Sequence, residues 1–546
     1  MKPNVICLLL FVVTITGCIS KQSAQKLTFL KTSGQDIINE KGEKIYLLGV
    51  GLGNWMLPEG YMWKFGGEGD RPRKIEQLIE NLIGKEKADK FWNEFRKTYI
   101  TEADIQKIAE LGFNSVRPAL NSRLFLTEGE KKEFKDEGFQ LLDSLVKWCS
   151  KYNIYVIIDM HGAPGGQTGQ NIDDSPENQP ELFIKPENQD LLVKLWLKIV
   201  EKYKDEPTVA AYDLLNEPLP VVTGAADKYK HLLIPVYQKL ITEIRKIDKK
   251  HMITLEGFDW SNNWELFDKP LDNNLFYQFH YYCWDNPSNL KSVQYFLNKR
   301  NELNTPIWVG ETGEKENTIY WGTSQYFKAN NIGFSFWPWK KMDTKNTPYA
   351  IKRPENWELI SAYSEGNQKP DAAAAEKVLD EFLNNIKLAN CQFYPEVSNA
   401  IFNRVPGKIE SENYGHNGYL KSYFVKDTAT KSQFYRLLEP VKIKLIGDGQ
   451  KGELNEQYIE LNESEWTVYQ FNSLEPKKCQ LSIKVAAEIV PTRISLQLNG
   501  NNSEFEVINK DWTEVTVSEV SLNAGENELK IKVTSNQIKI DWISFK

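Results

Sequence analysis

Cysteine and histidine are scarce in this chain, with six and five among 546 residues. Two of the cysteines, Cys7 and Cys18, fall in or beside an N-terminal apolar run. The other four, Cys149, Cys283, Cys391 and Cys479, stand far apart with no metal-type pairing. That spacing excludes a tight disulfide framework and a cysteine-based zinc site, so stability has to come from buried apolar surface. Basic charge is not in excess either: the formal net charge is -7. Without a basic footprint, binding to the phosphate backbone of a nucleic acid is excluded as a main role. Beyond the N-terminus no segment is long and apolar enough to span a membrane.

What is present is apolar mass and aromatic rings. The chain is 41% apolar, with 16 Trp, 24 Tyr and 26 Phe, enough for more than one core and for stacking on apolar faces of a ligand. At the start, Lys2 precedes the apolar run Val5 to Val13 and then Ile15, Thr16, Gly17 and Cys18. This reads as a signal for export over residues 1–18. The small residues before Cys18 are similar to a bacterial lipoprotein signal, in which that cysteine becomes the acylated first residue. An exported protein lipid-anchored at a cell surface or facing the periplasm is the expectation, with cleavage elsewhere in the signal as the alternative.

From residue 45 to 385 short apolar runs alternate with amphipathic stretches. The strand-like runs are 45–50, 113–117, 154–160, 209–215, 252–256, 275–280, 307–309 and 333–336. Between them, stretches such as 103–111, 139–152, 189–204, 229–248, 290–301 and 320–329 carry apolar residues at three- and four-residue spacing. Eight β/α units in this order predict a closed (β/α)8 barrel, with an open doubly wound sheet as the rival. A helix is expected over 372–388 and a linker over 391–405. From residue 406 the pattern changes to short alternating runs separated by Gly, Asn and Asp, which predicts a C-terminal β-sandwich over 406–546.

In a parallel barrel the chemistry projects from the C-terminal strand ends. Those ends read Asp159-Met160-His161, Asn216-Glu217-Pro218, His280-Tyr281-Tyr282, Gly310-Glu311 and Phe336-Trp337. Glu217 and Glu311 sit on strands that lie nearly across a barrel, where a carboxyl pair can serve as acid and nucleophile on a sugar. Glu314 competes with Glu311 for the second role, and Glu256 is either a substrate contact or a structural partner. Trp55, Trp284 and Trp339 either wall a cleft or belong to the core.

The motifs LLNEP (214–218), PIWVGE (306–311), GFNSVR (112–117) and HYY (280–282), in that setting, resemble glycoside hydrolase family 5. The resemblance covers residues 29–390. It implies a retaining two-step hydrolysis of β-glycosides without a catalytic cofactor, with Glu217 as acid/base and Glu311 as nucleophile. It further implies that Asn216 bonds a sugar hydroxyl, Arg117 orients Glu311 and keeps it ionised, His161, His280 and Tyr282 line the reacting subsite, and Trp337 forms its stacking floor. On this view an enclosed Glu217 has the raised pKa. The stretches 49–63 and 159–169 are more similar to exo-acting β-glucanase branches than to open-groove cellulases. A β-glucan or β-gluco-oligosaccharide is the expected substrate, with β-mannanase or endo-cellulase activity as alternatives. A glycan-binding barrel without catalysis is the alternative of another class.

The segments KIESENYG (408–415) and KIDWISFK (539–546) resemble the two ends of a family 6 or family 35 carbohydrate-binding module. That resemblance implies paired first and last strands and a structural Ca²⁺ held by Glu410, Glu412 and Asp541. Tyr458, Trp512 and Asn536 are the counterparts of a sugar site, and a packed appendage without ligand is the alternative.

Overall fold

A computed structural model of the chain describes residues 26–129, 131–283, 290–432, 435–446 and 457–546. Cys18 and Trp284 lie outside the described residues. No helix among those described is long and apolar enough to cross a membrane.

Eight parallel strands close into a barrel: β1 (Leu48–Leu52), β2 (Ser115–Asn121), β3 (Tyr155–Gly162), β4 (Val209–Asp213), β5 (Met252–Glu256), β6 (Leu275–His280), β7 (Ile307–Gly313) and β8 (Gly333–Trp337). Each pairs with the next in sequence, and β8 pairs with β1, so the sheet has no edge. The open-sheet rival is thereby excluded. Strands buried on both faces need near-continuous apolar runs, and every residue of β2 to β8 is buried. The helix Pro186–Tyr203 shows the complementary pattern: Leu192, Leu195, Trp196, Ile199, Val200 and Tyr203 face inward at helical spacing, and proline opens its first turn.

The ladder is irregular where the chemistry sits. Its register shifts between Phe279 and His280 on β6, and between Phe334 and Phe336 on β8. Such a shift re-aims side chains at the rim. The opposite end is sealed by a hairpin, Lys31–Ser33 with Asp36–Ile38, which lays Leu30 and Ile37 against Ile157, Met252, Phe276 and Trp308.

Two helices between β1 and β2, Pro72–Ile83 and Lys85–Tyr99, add an aromatic layer around Trp63, Phe95 and Trp92. Trp55 and Trp339 belong to the core, each 1% exposed. Trp55 donates its indole N–H to Arg96 O (2.7 Å). Trp339 donates to Asp104 (2.9 Å), a buried carboxylate that also caps the helix Glu102–Leu111 and pairs with Lys340 at 3.0 Å. Those two rings do not wall a cleft.

Residues 391–405 form a packed bridge rather than a free tether. Gln392–Phe393 pairs with Tyr349 and Ala350, and the helix Pro395–Ile401 buries Val397 and Ile401 beside the helix Asn317–Ala329. The sandwich follows as β9 (Gly407–Glu410), β10 (Tyr423–Phe424), β11 (Lys442–Leu445), β12 (Gln457–Asn462), β13 (Trp466–Ser473), β14 (Lys477–Ala486), β15 (Thr492–Leu498), β16 (Asn501–Val507), β17 (Thr513–Leu522), β18 (Gly525–Val533) and β19 (Gln537–Phe545). One sheet runs β11-β12-β19-β14-β17 with β9 also on β19, and the other runs β10-β13-β18-β15-β16. The first and last strands pair, Gly407 opposite Phe545. Apolar residues alternate inward along β15 (Thr492, Ile494, Leu496 and Leu498), as a two-layer core requires.

The sandwich docks on the barrel helix Asn317–Ala329. Gln325 donates to Asn413 O (3.2 Å), Asn403 donates to Trp321 O (2.9 Å), and Lys328 pairs with Glu526 (3.1 Å).

Candidate active site

Arg117, fully buried on β2, organises the rim. Its Nη1 donates to Glu311 Oε1 (2.6 Å), its Nε to Asp213 Oδ2 (2.8 Å), and its Nη2 to Asn216 Oδ1 (2.8 Å) and Glu256 Oε1 (3.1 Å). Asp159 Oδ2 lies 3.2 Å from Nη1. A single guanidinium thus serves four carboxylates, which the five-donor fork of arginine permits and a lysine would not. Burial opposes its charge, but those carboxylates hold its pKa well above the ordinary value.

Glu311 is held from a second side by Tyr282, whose hydroxyl donates to Oε2 (2.6 Å). The preceding Gly310 lets β6 and β7 approach: a Cβ there would meet Gln278 Oε1 at 1.8 Å and His280 Nε2 at 2.9 Å. Opposite, Glu217 Oε1 is 2.6 Å from His280 Nδ1, and the other ring nitrogen is 3.4 Å from Glu256. The Glu217 backbone sits at φ 44°, a left-handed conformation that a residue before proline rarely adopts, and its N–H donates to Glu256 Oε2 (2.7 Å). That strained corner turns the side chain toward the cleft.

His161 accepts or donates at Nδ1 with Asp159 (2.8 Å), approaches Asn216 Nδ2 through Nε2 (3.3 Å), and stacks parallel to Trp337 at 5.4 Å. Trp337 in turn lies on the backbone of β1, where a Cβ on Gly51 would meet its ring at 2.3 Å. All eight predicted barrel residues, Arg117, His161, Asn216, Glu217, His280, Tyr282, Glu311 and Trp337, are therefore one connected group. Six of them, His161, Glu217, His280, Tyr282, Glu311 and Trp337, line a cleft of about 360 Å³, with Arg117 and Asn216 fully buried behind them.

The electrostatics differ from the sequence expectation in one respect. The enclosed carboxyl is Glu311, 4% exposed, and not Glu217, which is half-buried. Burial raises the Glu311 pKa, an effect that His280 and Arg117 reduce without cancelling. Burial likewise lifts Asp159 to about 7 and Asp213 to about 8. At Glu256 burial is outweighed by His280 and Arg117, so its pKa is lowered. His280 faces Glu256, Glu311 and Glu217, which overcome burial and hold it well above the usual imidazole range. Burial takes His161 the other way, to about 4, so it is a neutral ring.

Two competing carboxylates stand differently. Glu314 also lines the cleft, where it is bound to Lys341 at 2.6 Å. Glu256 is fully buried beneath Glu217, bonded to Arg117, and has no surface for a substrate. Other cleft residues were not singled out from sequence: Glu59, Tyr61, Ile172, Trp260 and Asn262. Glu59 stands out because its Oε1 is buried without a hydrogen-bond partner and burial, then Glu311, raises its pKa well above normal. Its loop, Pro58-Glu59-Gly60, carries no periodicity that would mark it. Among the described residues, only Glu217, His280 and Glu311 bring three potential metal-ligand atoms within 4.8 Å of one another, and each is already held by the contacts above.

Residues 78–343 match the family model described as cellulase, glycosyl hydrolase family 5. Over that stretch the barrel is similar to glycosyl hydrolase family 5. Relatives of the barrel include a β-xylosidase of Phanerodontia chrysosporium, 31% identical over 44% of this chain and 48% of that protein. Endoglucanase C of Acetivibrio thermocellus is 32% identical over 35% of this chain and 53% of its own length. A sporulation-specific glucan 1,3-β-glucosidase of Saccharomyces cerevisiae is 29% identical over 48% and 61%, respectively. The chain thus spans about half the length of the first two curated relatives.

Proposed function

We propose that the protein is a retaining β-glycoside hydrolase that cleaves a β-glucan or β-gluco-oligosaccharide. The observation that carries this reading is the pairing of Glu217 and Glu311 across one cleft, with carboxylate oxygens within 4.8 Å of each other. Retaining enzymes hold their carboxyl groups about 5–5.5 Å apart, whereas an intervening water needs about 6.5–9.5 Å. Glu311, fixed by Arg117 and Tyr282, attacks the anomeric carbon. The bond to the leaving oxygen breaks as Glu217 gives that oxygen its proton. Glu217 then takes a proton from water, whose oxygen attacks the same carbon and frees Glu311. His280, cationic between Glu217, Glu256 and Glu311, lowers the cost of the negative charge that passes between the two carboxyls. Glu59, protonated under its burial, offers a hydroxyl donor to a sugar oxygen, and Trp337 offers a ring face. Following product anomers by NMR tests the mechanism: the β anomer forms first, and initial release of the α anomer would sink it.

Glucan specificity draws on the endoglucanase and glucan 1,3-β-glucosidase among the relatives. The β-xylosidase leaves the sugar to the loops around Glu59 and Trp260.

For the sandwich, the reading is a carbohydrate-binding module with a structural Ca²⁺. Glu410, Glu412 and Asp541 are buried, and both Glu412 oxygens, Glu410 Oε2 and Asp541 Oδ1 have no hydrogen-bond partner. Hard, unpaired oxygens of this kind suit calcium, and because the three acids do not hold their oxygens within 4.8 Å of one another, they would draw together around the ion. Lys408 at 2.6 Å from Glu410 and Lys484 at 2.8 Å from Asp541 give partial neutralisation. A sugar site on this module would use Tyr458 and Trp512, whose rings meet at 5.4 Å, while Asn536 is tied to Pro491 O. Export and acylation at Cys18 complete the proposal. Replacement of Cys18 by alanine is expected to abolish labelling by a tritiated fatty acid, and persistent labelling would refute the anchor.

A further inference from the structure

The seam between barrel and sandwich holds a cavity of about 430 Å³, remote in the fold from the cleft and unused by the proposed reaction. Its barrel wall is Gln325, Lys328 and Ala329, Asn403 of the bridge adjoins it, and its sandwich wall includes His416, Asn417, Gln470 and Asn527. Cavities of this size accommodate small ligands. The lining chemistry is predominantly amide: neutral donors and acceptors side by side. Two residues of this wall also carry a buried polar atom without a hydrogen-bond partner, Gln325 Oε1 and His416 Nε2. A hydroxyl group, which donates and accepts together, suits a lining of mixed amide donors and acceptors. Burial and Arg436 hold His416 well below the usual imidazole range, so it presents a neutral ring. At the rim Lys328 is paired with Glu526, and Glu528 adds a further negative charge. A carboxylated or phosphorylated ligand would meet that charge unfavourably, and a lipid would leave the amides unpaired.

We propose that the seam cavity is a second carbohydrate site, which takes a neutral glycosyl unit between the two domains. Because Gln325 and Ala329 come from the barrel and His416 and Asn417 from the sandwich, occupancy would hold sandwich and barrel together. It would stabilise the pair by the affinity of the sugar for the docked state.

Hydrogen-exchange mass spectrometry on the full chain tests this, with Glu217→Gln as the background so that the probe is not consumed. Cellotetraose and mannotetraose at millimolar concentration are the probes. The expected result is slower exchange in peptides covering 321–330 and 413–418, in addition to any protection of the cleft loops. Adding Gln470→Trp, an exposed position whose new ring would fill the cavity, is expected to remove the seam protection and leave the cleft protection unchanged. A second variant, Asn417→Ala, should weaken it several-fold. Protection confined to the cleft loops, or seam protection that survives both substitutions, would overturn the proposal. Seam protection does not depend on turnover, so its loss and a failure of the glycosidase reading are separate results.

Discussion

The protein buries two acidic clusters and treats them in opposite ways. In the barrel, Asp159, Asp213, Glu256 and Glu311 converge on Arg117, and His280 adds a second cation among them. In the sandwich, among the described residues, Glu410 pairs with Lys408 and Asp541 with Lys484, side chains 42% and 34% exposed, at the edge of the cluster that Glu412 completes. An internal cation fixes carboxylates in position without a ligand, as chemistry on a substrate requires. A cluster lacking one is held together by whatever supplies positive charge from outside. The same residue type is therefore neutralised from within in one domain and left largely uncompensated in the other, and the difference lies in which neighbours are buried with it.

Removing the internal cation is expected to give the largest effect. Arg117→Met leaves the carboxylates uncompensated and should cost about 3–5 kcal/mol of barrel stability, as measured by chemical unfolding. A change under about 1 kcal/mol would mean that protons on Asp159 and Asp213, not Arg117, balance the cluster. Glu217→Gln should slow hydrolysis about 10²–10⁴-fold on glycosides with poor leaving groups and much less on activated aryl glycosides. Equal loss on both classes would remove the acid role from Glu217.

The smallest expected effect belongs to the sandwich and is read through pH. Burial raises Glu410 to about 7 and raises Glu412 as well, so the folded state binds protons more tightly than the unfolded chain. Stability from these groups is present at low pH and is lost as pH rises from the ordinary carboxyl range through about 7. In chelator-treated protein the sandwich should melt at lower temperature at pH 7 than at pH 5. Calcium at one fixed concentration, about 100 times its Kd at pH 7, should restore about 2.7 kcal/mol at pH 7 and less at pH 5, where protons compete for the same oxygens. A calcium effect that is equal at both pH values, or absent, would place the ion elsewhere or nowhere.

Much of this was legible before any coordinates. The alternation of buried runs with amphipathic helices specifies eight β/α units because parallel strands covered on both faces must be apolar throughout. Their ends then name His161, Asn216, Glu217, His280 and Glu311 by position, while the role of Arg117 rests on the resemblance of its GFNSVR motif. The helices 72–83 and 85–99 were missed, since they lie in an insertion outside the repeating unit. Trp55 and Trp339 could not be sorted into core or cleft, because an indole ring suits both and only its neighbours decide.

What local chemistry determines, then, is which residues have the right groups and at which strand end they emerge. What the tertiary structure decided is their surroundings. Register shifts on β6 and β8, the left-handed turn at Glu217 and the close approach of Gly310 set which carboxyl is enclosed. That enclosed Glu311, whose pKa burial raises. It also brought Glu59 into the cleft and Gln325 against the sandwich. Proton affinity and pocket membership depend on through-space distance and water exclusion, and neither is a property of neighbours along the chain.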